Sequence, residues 1–140
     1  MINYQVIGEK QVIVICFEGD ITPENVISFI RELVENPEYD PEYKSIVDLR
    51  NCNLVYDIEG MKRTLEYMAT ASGFAAKRKT AYITSRSGHV VPPMLMNTGV
   101  YDVPMDIKVL STVETALSWL DLDDFTPEEY KRVLQGICNC

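Results

Sequence analysis

Asp48, Arg50, Arg86 and His89 are the side chains of this 140-residue chain whose types and placement suggest joint chemistry. Asp48 lies near the end of the β-rich run "SIVDL", with Arg50 just after it in the polar stretch "RNCN". Arg86 and His89 follow a second such run, "TAYIT", in "SRSGH". Carboxyl ends of parallel strands are where α/β sheets place ligands. A carboxylate, two guanidiniums and an imidazole converging there would make an acid–base and anion-holding set. The details argue against it. The chain has one histidine, and Ser85 and Ser87 stand too near it in sequence for a triad geometry. Cys52 has no neighbouring base to make it a thiolate. "SRSGH" offers amides, hydroxyls and a guanidinium to an anion. It nevertheless lacks the G-x-x-x-x-G-K-[ST] and G-x-G-x-x-G spacings, so a solvated loop is the plainer reading. Asp48 is expected to hydrogen-bond loop amides in "RNCN", so no catalytic residues are assigned.

The other cysteines are Cys16, Cys138 and Cys140. Cys16 falls mid-strand, where a buried free thiol is expected. Cys138 and Cys140 form a C-x-C without a second pair or nearby histidine, which is short of a metal's ligand count. The expectation is no metal, no cofactor and a frayed tail with incidental thiols.

These side chains must be positioned by elements readable from pattern. Ile2 to Ile7 and Gln11 to Glu18, joined by Gly8-Glu9-Lys10, form a β-hairpin that Gly19 ends. "ITPEN" opens a helix with Thr22 as N-cap, Pro23 at the first position and an Ile21–Val26 staple. Val26, Ile27, Ile30, Leu33 and Val34 form its apolar stripe, and it stops before Pro37. Ser45 to Leu49, Thr80 to Thr84 and Ile107 to Leu110 read as strands, and Met61 to Phe74 as a helix. A short helix starts near Pro93. "STVE", from Ser111 to Glu114, reads as a capping box, and "FTPEEY" repeats the device with Thr126, Glu129 and a Phe125–Tyr130 staple. The last helix turns Tyr130, Val133, Leu134 and Ile137 to one face, which must pack somewhere. The alternation predicts an α/β layer of about five mostly parallel strands with an antiparallel N-terminal strand. Residues 1–122 carry that layer, and residues 123–140 are an added helix and tail that either covers the sheet or seals a homodimer.

Composition narrows the partners. With 13 Lys and Arg against 21 Asp and Glu, the net charge is −8, which disfavours nucleic acid and anionic membranes. Lys77-Arg78-Lys79, the one basic run, is expected to complement the C-terminus of the preceding helix, with docking of an acidic partner as the alternative. The longest apolar stretch, Val12 to Phe17, is far short of the ~20 residues of a membrane span. No signal-peptide pattern is visible, so the cytosol is the expected location.

The segments "VICFEGDITPENV", "SIVDLRN", "YDIEGM" and "VLSTVETALSWL" together resemble the STAS fold of sporulation anti-sigma-factor antagonists. The chain is most similar to the SpoIIAA-like family of small, mostly uncharacterised bacterial proteins, over roughly residues 1 to 122. That resemblance implies helices packed on the sheet and a protein-interaction role. In the antagonists, a D-S-S-G box opens the second helix and its first serine is phosphorylated. Here the box reads "DIEG", with Ile58 at the acceptor position, so no hydroxyl is available. Glu59 carries one negative charge where phosphate carries about two, and its plainer role is in the helix's first turn. Asp57 is expected as N-cap.

Three functional readings follow. The leading one is a non-enzymatic regulatory or protein-interaction domain that docks a partner through Leu54 to Gly60 and the second helix, with Asp57, Glu59 and Lys62 in contact. The second is a carrier of a small apolar ligand or lipid, by similarity to CRAL-TRIO domains, with Met61, Met68, Met94, Met96 and Met105 lining an adaptable pocket. The third is an enzyme using Asp48, Arg50, Arg86 and His89.

Overall fold

The computed structural model describes residues 1–85 and 104–138. Its centre is a five-stranded sheet in the order β1-β2-β3-β4-β5. The strands are β1 (Ile2–Ile7), β2 (Val12–Ile21), β3 (Lys44–Leu54), β4 (Lys79–Ile83) and β5 (Asp106–Leu110). β1 pairs antiparallel with β2, and the other pairings are parallel. This is the mixed α/β layer expected from the alternation. The helix expected near Pro93 lies outside the described residues.

Strand order dictates where the helices go. The parallel strands advance in one direction across the sheet, and right-handed crossovers then place the connecting helices on a single face. α1 (Pro23–Glu35) and α2 (Ile58–Thr70) both pack there. They close over Ile13, Ile15, Phe17, Val47 and Leu49 with Phe29, Ile30, Leu33, Leu65 and Met68. The opposite face carries Val12, Val14, Ile46, Ala81 and Ile83, all essentially inaccessible. α3 (Val113–Trp119) and α4 (Pro127–Ile137) cover it, with Ala116, Leu117, Leu120, Phe125 and Tyr130 facing inward. The last helix therefore lies on its own chain's sheet. Val133, Leu134 and Ile137 pack against the same cluster, as their spacing demanded.

The caps follow the sequence with one shift. Thr22 and Thr126 each accept from the backbone N–H three residues on, and Asn25 and Glu129 reach back to complete capping boxes. The α3 cap is Thr112, not Ser111. Its hydroxyl accepts from Thr115 N–H at 3.2 Å, so the helix begins one residue later than "STVE" suggests.

β2 and β3 run further than expected. Gly19 does not end β2: it adopts φ 70, a left-handed value that glycine alone takes without steric cost. That conformation lets the strand resume after the register shift between Cys16 and Glu18 and pair as far as Ile21↔Leu54. The "RNCN" stretch is accordingly strand rather than loop. Cys52 is buried, while Asn51 and Asn53 are exposed on the other face, the period-2 alternation of a strand. β4 stops pairing with β3 at Asp48↔Ile83. Beyond that point, among the described residues, β2 and β3 continue as a two-stranded ribbon.

Two further devices hold the C-terminal layer. Lys10, Lys44 and Lys79, each at or just before the start of a strand, donate to the carbonyls of Asp124, Leu120 and Trp119 around the α3–α4 turn. Lys10 also pairs with Asp124 and Glu129, and Lys79 with Asp121. Cations there complement the carbonyl end of α3. At the other end of α4, Cys138 is disulfide-bonded to Cys16 in β2, with Cα atoms 6.4 Å apart. Cys16 is thus not a free thiol and Cys138 is not frayed, because Ile137 and the end of α4 dock against the sheet. Cys140 lies outside the described residues.

The bond closes a sequence separation of 122 residues, for which chain entropy alone gives about 5 kcal/mol. Cys138→Ser, or reduction with dithiothreitol, is expected to lower the urea midpoint substantially while α1 and α2 remain packed. Peptide mapping after alkylation under denaturing, non-reducing conditions checks the pairing directly. Cys16 and Cys138 should escape alkylation.

Candidate functional site

Asp48 sits on the α4 side of β3 with only 2% of its surface exposed. Its carboxylate accepts from Arg50 N–H at 3.1 Å and from Arg50 Nε and Nη2 at 3.0 and 2.7 Å. The Tyr130 hydroxyl of α4 donates to the same carboxylate at 2.8 Å. Residues 48 and 50 face one side of a strand because side chains alternate, so the guanidinium folds back two positions to reach its partner. Burial, reinforced by the adjacent negative charge of Asp48, pushes the Tyr130 hydroxyl well above the ordinary tyrosine range; Arg50 opposes the shift. Tyr130 therefore stays a neutral donor. The expected amide contact of Asp48 is present at Arg50 N–H, but its charge is held mainly by a guanidinium and a phenol.

Arg50 and Tyr130 also border an open cleft of about 580 Å³, together with Val113, Glu114, Glu128 and Lys131. Arg50 is about one-third exposed there. Of the four residues considered for catalysis, the structure brings Asp48 and Arg50 together; Arg86 and His89 lie outside the described residues. The Asp48–Arg50–Tyr130 set ties α4 to β3 and presents no nucleophile.

The second candidate lies at the tip of the β2–β3 ribbon. Asp57 caps α2, accepting from Gly60 N–H at 2.6 Å. α2 starts at Ile58, three residues before the expected Met61, because that cap is already satisfied. Ile58 is 71% exposed and Val55 51%, a pair of large apolar side chains in water. Glu59 and Lys62 are exposed beside them. A broad open groove runs past Thr22, Glu24, Val55, Asp57, Glu59 and Arg63. Its walls are joined by two contacts: Arg63 pairs with Glu24 across α1 and α2, and Val55 N–H donates to Ile21 C=O at 2.8 Å. Gly60 packs so closely on α1 that a Cβ would stand 2.6 Å from Pro23 Cγ.

Asp57, Ile58, Glu59 and Lys62 are therefore gathered on one exposed corner, while Asp48 and Arg50 lie on the opposite face of the sheet under α4. The methionines proposed to line a carrier pocket are core residues where described. Met61 and Met68 border a cavity of about 50 Å³, and Met68 and Met105 one of about 40 Å³, each water-sized rather than acyl-sized. Met94 and Met96 lie outside the described residues. The basic run is not a continuous surface patch: Arg78 is buried, donating to Phe74 C=O at 2.9 Å and Pro41 C=O at 2.8 Å. Cys16, Glu18 and Cys138 bring ligand-type atoms within 4.8 Å of one another. Joined to each other, the two sulfurs are not thiolate ligands. Among the described residues no helix is long and apolar enough to cross a membrane. Sequence reasoning missed the Tyr130–Asp48 bond and the interior role of Arg78. The available signal was a tyrosine on the inner stripe of α4, which needs a hydrogen-bond partner once buried.

No family model and no curated protein matches the chain. Among solved structures, it is similar to an uncharacterized protein from the DUF3478 family with a SpoIIAA-like fold, from Shewanella loihica PV-4. The identity is 16%, the match covers 78% of this chain and 83% of that one, and the TM-score is 0.49. The likeness concerns fold and says nothing of activity.

Two outcomes follow from this geometry. Tyr130→Phe leaves the buried Asp48 one donor short and should cost about 1–3 kcal/mol in urea unfolding. A phenol pKa raised in the folded state supports stability that is complete below the unfolded value of 10.0 and lost as pH rises above it. Burial likewise pushes Tyr82 up to about 12. The melting temperature should hold up to about pH 10 and then fall, less steeply in Tyr130→Phe. Separately, Gly60→Ala should lose about 1–3 kcal/mol by overpacking against Pro23, read from the same urea titration.

Proposed function

We propose that the protein is a non-enzymatic interaction domain whose docking surface is the corner formed by residues 54–60 and the first turns of α2. The observation that carries this reading is the exposure of Val55 and Ile58 beside the capped start of α2. Scattered single apolar residues on a surface need no explanation, but here two neighbours flank a helix start whose own cap is satisfied. Such a pair suits a partner's apolar pocket, and Glu24, Asp57 and Glu59 supply a polar rim around it. The resemblance to anti-sigma-factor antagonists points to the same corner. There Ile58 replaces the phosphorylated serine, so capture by this surface would be constitutive and not gated by phosphate.

A regulatory role of STAS type is the finer form of this proposal, with the partner to be identified. Apolar-ligand carriage ranks below it, because the two cavities bordered by the described methionines are water-sized. A thermal-shift panel of fatty acids and phosphoinositides tests carriage independently; a reproducible rise in melting temperature would promote it.

Ile58→Asp places a charge at the centre of the patch without touching the core. It should reduce capture of a specific protein, cross-linked through Lys62, by about tenfold or more, the effect expected of a central anchor. Charge reversal at Glu59 should weaken capture less. Circular dichroism and urea midpoints should match the unaltered protein. Undiminished capture by a folded Ile58→Asp variant would sink this assignment.

A further inference from the structure

Arg78 carries a full charge into the interior with 7% of its surface exposed. Its Nη1 donates to the Phe74 and Pro41 carbonyls and to the Tyr39 hydroxyl at 3.3 Å, and its guanidinium lies 4.6 Å from the centre of the Phe74 ring. All of these partners are neutral. Among the described residues no carboxylate pairs with it, although five ion pairs occur elsewhere. Its Nε–H has no acceptor, and neither has the hydroxyl of Thr80, which is 3% exposed. Both residues line the same cavity of about 40 Å³, with Ser45, Val47, Tyr82 and Met105 among its other walls.

A buried charge is ordinarily paired or neutralised. Arginine cannot be neutralised by losing its proton under ordinary conditions, because its pKa stays far above neutrality. Desolvation lowers the Arg78 value from its usual one, and the Tyr39 and Tyr82 phenols oppose that shift. A water in the cavity would satisfy the two donors but leave the charge uncompensated. An anion would do both. The cavity volume of about 40 Å³ suits a single monatomic ion and leaves no room for the several oxygens of sulfate or phosphate.

We infer that Arg78 Nε–H and the Thr80 hydroxyl form an internal binding site for a halide, chloride being the physiological member of that class. The site lies beneath α1 on the face opposite the Asp48 set, and it is independent of the docking corner.

The direct test uses crystals of the full chain soaked in sodium bromide, with data collected at the bromine edge. An anomalous peak within hydrogen-bonding distance of both Arg78 Nε and Thr80 Oγ1 is expected. A cavity that holds only water at high bromide overturns the proposal. In solution, melting is followed in sodium chloride against sodium gluconate at constant ionic strength. The midpoint should rise with chloride, approaching about 4–5 °C per tenfold increase as the site saturates. Thr80→Val keeps the strand and its shape while removing the hydroxyl, and should move that rise to chloride concentrations about tenfold or more higher. A rise at the same concentrations in the two proteins would also overturn the site. Because Arg78→Met threatens the fold itself, the Thr80 variant carries the test.

Discussion

A sheet whose parallel strands advance in one direction is covered by its crossover helices on one side only, and the rest of this structure answers that constraint. α1 and α2 shield one face. The other is as apolar as the first, with Val12, Val14, Ile46, Ala81 and Ile83 inaccessible to solvent. Fully burying a valine or isoleucine is worth about 1.5–3 kcal/mol relative to exposure, so leaving this face in water would cost an amount comparable with the net stability of an ordinary domain. The segment after β5 supplies the missing layer. The α3–α4 pair is therefore part of the folded unit's stability as much as the sheet is.

Apolar contact alone would hold α4 without choosing one position along its groove. The polar pins supply that choice. Tyr130 must sit above Asp48, or a buried carboxylate loses a donor. Cys138 must then reach Cys16. The two β2–β3 partners Cys16 and Asp48 are directly paired in the sheet, so both pins fasten one helix to one level of the sheet. At the opposite end, the three lysines hold the α3–α4 turn by its carbonyls. Exposed ion pairs of this kind contribute little individually. Here they direct the chain as it turns between two helices packed on the sheet.

The corner proposed for docking depends on the same architecture from the other side. The β2–β3 ribbon extends past β4 and carries the start of α2 beyond the main sheet. Capping by Asp57, close packing of Gly60 on Pro23 and the Arg63–Glu24 pair tie it to α1. Exposed apolar side chains on such a support lose little conformational freedom when a partner binds, which favours recognition. The Asp48 cluster, by contrast, buries its carboxylate under α4 and turns its Arg50 side toward the open cleft.

Most elements were legible in the sequence because local chemistry specifies them. Thr22-Pro23 and Thr126-Pro127 announce helix starts, Asp57 a third, and the Val/Ile runs their strands. The amphipathic stripe of α4 required a surface to cover. Ile58 in "DIEG" showed that no hydroxyl stands at that position. Other features depended on tertiary contacts. The stretch "RNCN" looks like a loop until β2, continued through the left-handed Gly19, supplies its pairing partner. Arg78 reads as part of a basic surface run, but the Tyr39–Pro41 and Phe74 segments enclose it. Asp48 and Tyr130 are 82 residues apart, and Cys16 and Cys138 are 122 apart. Periodicity determines which side of a helix or strand a residue occupies. Only the packing of α4 across the sheet decides which residue it meets there, because that meeting depends on distances the local chain does not encode.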